Sequence, residues 1–203
     1  RIAAAFTRAG LEFSHAPNVS VGANAANPHY EPSAAHPAPI ESGSLLLIDL
    51  WATEPGGIYA DQTWMASLGA PSDRARGIWT AVRDARDAAL DLLRARATAR
   101  VTVPGADVDD AARQVIEARG FGPWFTHRTG HSIDTVDLHG SGPNLDNLET
   151  REERLIFPWI GFSVEPGIYI PGEIGVRSEV NCCFLDGELV VTPDEYQVEM
   201  MSV

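Results

Sequence analysis

The sequence predicts an α+β fold in one domain, and three observations carry that expectation. Periodic segments follow in the order helix, hairpin, two helices and then several short strands, which is not the strand–helix alternation of a parallel sheet. The strand-like segments are bounded by Pro and Gly turn signals. A chain of 203 residues with 44% hydrophobic content is long enough to bury one substantial core.

Taken in order, residues 1–10 read as the tail of an amphipathic helix that Gly10 ends, and the Pro, Ala and Asn-rich stretch 17–43 reads as loop. Leu45 to Leu50 is a dense apolar run, a buried strand, and Glu54-Pro-Gly-Gly turns the chain back into a second strand from Ile58 to Leu68. Ser72 is a natural N-cap for a long helix whose apolar face carries Ile78, Val82, Ala85, Ala89 and Leu92. A second helix, from about Asp107 to Arg119, places Val108, Ala112, Val115 and Ile116 on its apolar side and stops at Gly120. Beyond Phe121 the chain becomes strand-rich, with runs at Phe162–Val164, Ile168–Ile170, Gly175–Phe184 and Leu189–Thr192.

Composition narrows the function. Against 28 acidic residues stand 15 basic ones, a net charge of −13, which disfavours nucleic acid and anionic membranes as partners and leaves carboxylates for cations. Every basic residue is Arg, so Schiff-base chemistry and a P-loop lysine are excluded. Cys182 and Cys183 are adjacent; in an extended strand they point to opposite faces and staple nothing. The sequence has neither a secretory leader pattern nor an apolar run approaching about 18 residues, so a cytoplasmic location is expected.

Several acids lie inside apolar runs, where a charged side chain is costly unless paired or metal-bound. Asp49, in Leu45-Leu-Leu-Ile-Asp-Leu-Trp51, is either a hydrogen-bonded structural aspartate or a ligand. Asp61 lies across the hairpin, so strand pairing can bring both carboxylates to one point, where they repel unless a cation lies between them. Thr129-Gly-His131 and Leu138-His139-Gly140 supply two histidines beside glycines that allow close backbone approach. Glu165 precedes a Pro-Gly turn, and Glu179 alternates with Arg177 in a strand, where an Arg–Glu pair is the simpler alternative.

Read together, these blocks resemble the M24 or pita-bread metallopeptidases, the family that includes methionine aminopeptidase, aminopeptidase P and prolidase. The resemblance runs from about Asn18 to Thr192 and is strongest in Glu165-Pro-Gly-Ile-Tyr169 and Gly175-Val-Arg-Ser-Glu179. It implies the pita-bread fold, a curved and mostly antiparallel sheet with helices on its outer face. It also implies two divalent cations, Mn²⁺ first, with Co²⁺, Zn²⁺ or Fe²⁺ also suited to an oxygen and nitrogen donor set. By the same resemblance Asp49 holds one metal, Asp61 and Glu179 bridge both, and His131 and Glu165 hold the other.

The resemblance further gives Glu165, His29 and His139 roles in proton transfer and gives Arg177 an orienting role beside the last ligand. His29, in Asn27-Pro-His-Tyr30, is preferred to His36 for its context; His15 and His127 read as structural residues. The Gly130-His-Ser-Ile and Arg177 contexts are closer to aminopeptidase P and the Xaa-Pro dipeptidases than to methionine aminopeptidase. They imply cleavage of Xaa-Pro bonds near the peptide N-terminus by a hydroxide held between the two cations. A lyase or creatinase-like hydrolase of the same fold, or a metal-free binding adaptor, is the alternative. Residues 1–203 are then expected to be a catalytic domain without its first helix and a preceding domain, from a protein that forms homodimers.

Overall fold

The computed structural model describes residues 1–203, and its elements alternate polar and apolar faces in a way that aims the chemistry inward. Helix α1 (Ile2–Ala9) ends at Gly10 in the left-handed region, φ 74°, where the backbone amides of Gly10 and Leu11 cap the last carbonyls. Strand β1 (Asn18–Val21) follows, in a stretch expected to be loop, and leads into a 3₁₀ turn over Gly22–Ala26. Its inward residues are Asn18 and Ser20, both buried, so β1 lacks the apolar alternation that marks a strand.

Strands β2 (Leu45–Ala52) and β3 (Ala60–Ser67) form the expected hairpin. Leu45, Leu47 and Asp49 face inward from β2, and Asp61, Thr63 and Met65 from β3. The register sets Asp49 opposite Thr63 and Asp61 opposite Trp51, so the two acids share a face one diagonal step apart instead of meeting directly. β1 pairs with β2 and places Asn18 opposite Asp49.

Helix α2 (Asp73–Ala99) starts at Ser72, whose hydroxyl accepts from the amide of Ala75 at 3.1 Å. Ile78, Val82, Ala85 and Ala89 are buried as expected, and Leu93 is fully buried where Leu92 is only partly so. The short strand β4 (Val103–Pro104) precedes helix α3 (Gly105–Ala118), which starts two residues earlier than its apolar pattern indicated. Strands β5 (Ser132–Ile133) and β6 (Leu155–Ile156) are too short to register as periodic segments.

The last third contains β7 (Gly161–Val164), β8 (Gly167–Ile170), β9 (Ile174–Arg177), β10 (Val180–Leu185), β11 (Glu188–Thr192) and β12 (Met201–Ser202). The run expected as one strand from Gly175 to Phe184 is two, interrupted at Ser178-Glu179: β9 pairs with β8, and β10 with β7 and β11. The interruption puts Glu179 at a strand junction instead of within a ladder. The sheets run β1-β2-β3-β12 and β11-β10-β7-β5, with ribbons β4-β6 and β8-β9, and every pairing is antiparallel except β3 with β12. α2 and α3 pack together and α2 lies against β7, β8, β9 and β11, so helices cover one side while the inward polar residues open on the other. This is the α+β arrangement expected from the sequence, mostly antiparallel with helices on one face, its sheet divided into segments.

Candidate active site

One cleft gathers the inward acids and histidines. Asp49, Asp61, His131, His139, Glu165, Arg177 and Glu179 all line it, and His29 lines it from the loop after the 3₁₀ turn. Apart from Arg177 and Glu179, which are two residues apart, each comes from a different segment, so the site exists only in the completed fold. The loop carrying His29 is tied down by Asn18, whose Nδ2 donates to the Pro28 carbonyl at 3.2 Å, and by Asn27, whose Oδ1 accepts from the His29 amide at 3.0 Å. His36 is exposed and lies outside the cleft.

At the centre, ligand atoms of Asp61, His131 and Glu179 lie within 4.8 Å of one another, and these side chains are among the most buried charged groups of the chain. His131 Nε2 sits 3.3 Å from Asp61 Oδ2 and 3.4 Å from Glu165 Oε1. Its Nδ1 donates to the Ser132 carbonyl at 3.0 Å, which leaves Nε2 as the nitrogen that faces the carboxylates; burial pulls this imidazole down, but Asp61 and Glu165 together hold it above its usual value, so Nε2 carries a proton that a cation would displace. Thr63 lies between Arg177 and Glu179: its hydroxyl accepts from Arg177 Nε at 2.8 Å and donates to Glu179 Oε2 at 2.7 Å. The alternative of a direct Arg177–Glu179 pair is therefore replaced by a relay through a residue with no motif of its own. Arg177 instead pairs with Asp49 and lies 4.0 Å from Glu165.

Glu179 Oε1 is buried and has no hydrogen-bond partner. An orphaned carboxylate oxygen beside another carboxylate and an imidazole nitrogen is a donor set that suits a divalent cation. The protonation balance agrees. Burial pushes Glu179 well above the usual carboxylate range, and Asp61, Glu165 and Asp49 add repulsion. Asp49 is pushed up to about 7 by burial, against the pull of Arg177 and with the push of Asp61 and Glu165. Burial also acts on Glu165, but His131, Arg177, His127 and the Ser163 hydroxyl together hold it below its ordinary value. His139 is held low by burial and by the neighbouring His131 and Arg128; its ring meets that of His131 edge-on, 4.3 Å between centroids.

Residues without a family context in the sequence also line the cleft. His127, read as structural, is on its wall with Nε2 2.8 Å from the Tyr169 hydroxyl, and burial holds its imidazole below the usual range. His15, Trp51, Arg128 and Glu31 line it as well. No local pattern marks His127, because its partner lies 42 residues away.

The sequence profile of metallopeptidase family M24 matches residues 1–184. An Xaa-Pro dipeptidase from Lactobacillus delbrueckii subsp. lactis is 36% identical over 161 residues, 79% of this chain and 40% of that protein. Among solved structures, a dipeptidase from Mycobacterium ulcerans superposes with a TM-score of 0.86 at 30% identity, covering 100% of this chain and 50% of that one. An Xaa-Pro dipeptidase from Bacillus anthracis gives a TM-score of 0.81 at 28% identity, over 95% of this chain and 49% of that one. The chain thus spans half or less of the length of these relatives.

Proposed function

This chain belongs to metallopeptidase family M24, and on that premise we propose that it cleaves Xaa-Pro bonds near the N-terminus of peptides. The observation that carries the proposal is the convergence of Asp61, His131 and Glu179 around the unpartnered Glu179 Oε1. The Xaa-Pro dipeptidases among its relatives support the substrate class. Asp49, Asp61 and Glu179 would hold one divalent cation, and Asp61, Glu179, His131 and Glu165 a second. When bound, such cations, Mn²⁺ first and Co²⁺, Zn²⁺ or Fe²⁺ after it, polarise a carbonyl and acidify water.

The chain's own groups then divide the remaining work. Glu165, held below the ordinary carboxylate range, is ionised at neutral pH and takes the proton of the attacking water. It returns that proton to the prolyl nitrogen, a secondary amine that leaves poorly without it. His139, held neutral, offers an N–H to the oxygen that gains charge as the carbonyl becomes tetrahedral, and His29, exposed on its loop, faces the same cleft. Arg177 fixes Asp49 directly and Glu179 through Thr63. The reading extends to a cytoplasmic protein whose remaining portion includes a preceding domain and a homodimer contact. No helix is long and apolar enough to cross a membrane.

The test is hydrolysis of Ala-Pro and Ala-Pro-Ala by full-length protein after chelation and refilling with Mn²⁺, Co²⁺ or Zn²⁺, with Asp61→Asn alongside. Metal-dependent cleavage that Asp61→Asn abolishes supports the proposal. Bound metal without cleavage of either peptide overturns the substrate class, and no bound metal overturns the mechanism.

A further inference from the structure

Asp109, on α3 and outside the cleft, is fully buried and accepts hydrogen bonds on both carboxylate oxygens. Its Oδ1 accepts from the Thr129 amide at 2.9 Å, the Thr129 hydroxyl at 2.6 Å and Arg113 Nη2 at 3.1 Å. Its Oδ2 accepts from Arg113 Nε and from the Asn147 amide, each at 3.0 Å. Arg113 stacks over the Phe125 ring, 4.2 Å from its centroid, and donates to the carbonyls of Phe125 and His127 at 3.1 and 3.0 Å. One ion pair on one helix therefore grips the segment 125–129 at each alternate residue.

The far end of that segment is the metal-facing one. The Thr129 carbonyl accepts from the Glu165 amide at 2.7 Å, and the His131 carbonyl accepts from the Ser163 amide at 2.8 Å. The Ser163 hydroxyl closes the unit, receiving the His131 amide at 3.0 Å and donating to Glu165 Oε1 at 3.0 Å. Gly130 has no room to relax, because a Cβ there would lie 2.0 Å from the Ser163 carbonyl oxygen. A rigid path thus runs from the Asp109 carboxylate through Thr129 to the backbones of both His131 and Glu165.

We propose that Asp109 is a positioning residue that, through Thr129, sets the spacing of His131 and Glu165 and so tunes one cation position selectively. The inference rests on the proposed function of the cleft. A purely structural Asp109 would lower stability and leave cation affinity alone; a positioning Asp109 weakens one cation and spares the other, since Asp49, Asp61 and Glu179 hang on different elements.

The experiment is Co²⁺ titration of the full-length apo-protein, followed by visible absorption, with kcat and KM for Ala-Pro measured on the same samples. Asp109→Asn removes the charge at constant shape, and Thr129→Val, a milder change, removes one donor at constant volume. Leu93→Ala, fully buried on α2 and without a hydrogen bond to the segment, controls for lost stability. In both test variants one of two Co²⁺ equivalents should bind about tenfold or more weakly, and kcat should fall about tenfold with little change in KM, while Leu93→Ala alters neither. Isotherms of Asp109→Asn and Thr129→Val that match Leu93→Ala would overturn the proposal. A wild-type protein that takes up no Co²⁺ would overturn the function on which it rests, and this inference with it.

Discussion

The Asn181 side chain closes on the backbone of Asp61 across 120 residues of sequence: the Asp61 amide donates to Oδ1 and Nδ2 donates to the Asp61 carbonyl, each at 2.8 Å. This amide clamp joins β3 to β10, the two strands that carry Asp61 and follow Glu179, where no regular ladder joins them. Only Asn supplies both a donor and an acceptor at that reach. Asn181→Ala should cost about 2 kcal/mol, from two hydrogen bonds at roughly 1 kcal/mol each. Asn181→Asp keeps the acceptor but sets a carboxylate oxygen against the Asp61 carbonyl, so it should cost at least as much. Both variants should weaken Mn²⁺ binding less than Asp61→Asn, which removes a proposed ligand outright. Urea unfolding and calorimetric Mn²⁺ titration of the three variants read both effects.

Two glycines of similar appearance in the sequence have opposite expected responses. A Cβ on Gly175 would lie 1.7 Å from the Ala25 carbonyl oxygen, so the 3₁₀ turn before the His29 loop rests directly on β9. Gly175→Ala should cost about 3 kcal/mol or more and disturb the cleft wall. Gly77 is exposed on α2, with nothing within 4 Å of the place a methyl group would take. Gly77→Ala should stabilise by about 0.5 to 1 kcal/mol through helix propensity alone. Thermal unfolding of both variants checks the pair.

Acid stability has one well-defined contributor away from the cleft centre. Arg154 donates to both Glu152 oxygens, at 2.8 and 2.5 Å, and the amides of Asn144 and Arg154 add to it; with Arg154 as the main cause, Glu152 is held down to about 2. A carboxylate depressed on folding contributes stability that is present above its unfolded pKa and disappears as pH falls through the folded one. Glu152→Gln should therefore be less stable than the wild type at pH 7, and the gap should close between about pH 4.3 and pH 2. Melting temperatures of the two proteins across that window, compared at each pH, isolate this carboxylate from all others. A gap that stays constant to pH 2 would refute the assignment.

What could be read from the residues divides along a physical line. Asp49, Asp61, Glu165 and Glu179 stood out because an acid inside Leu45-Leu-Leu-Ile-Asp or Phe162-Ser-Val-Glu violates local patterning. The long helix was legible from Ser72 and its apolar stripe. β1 was not, since its inward side chains are Asn18 and Ser20, and only the pairing with β2 makes it a strand. The junction at Ser178-Glu179 carries no turn signal and is made from afar: Arg86, buried on α2, donates to the Ser178 hydroxyl at 2.7 Å. Thr63, His127 and the link from Asp109 to Thr129 are equally silent, because each depends on a partner 20 or more residues away.

The proposed metal site and stability are linked most directly at Glu179. Its unpartnered, buried Oε1 and the repulsion of three neighbouring acids make the ionised form unfavourable in the metal-free chain. A ligand that binds only the folded state at 100 times its Kd adds about 2.7 kcal/mol of stability, so chelation should lower the melting temperature and Mn²⁺ should restore it. Glu179→Gln separates the two contributions. Neutral and nearly isosteric, Gln needs no proton to be buried, whereas Glu179 must be protonated or buried as a charge, so the metal-free variant should melt at or above the metal-free wild type, even though the substitution falls in the most buried part of the cleft. The same variant should gain almost nothing from Mn²⁺. Melting curves of wild type and Glu179→Gln, each with chelator and with Mn²⁺, give the full comparison. A glutamate serving only the fold would show the reverse: a lower melting temperature without metal and an undiminished response to it.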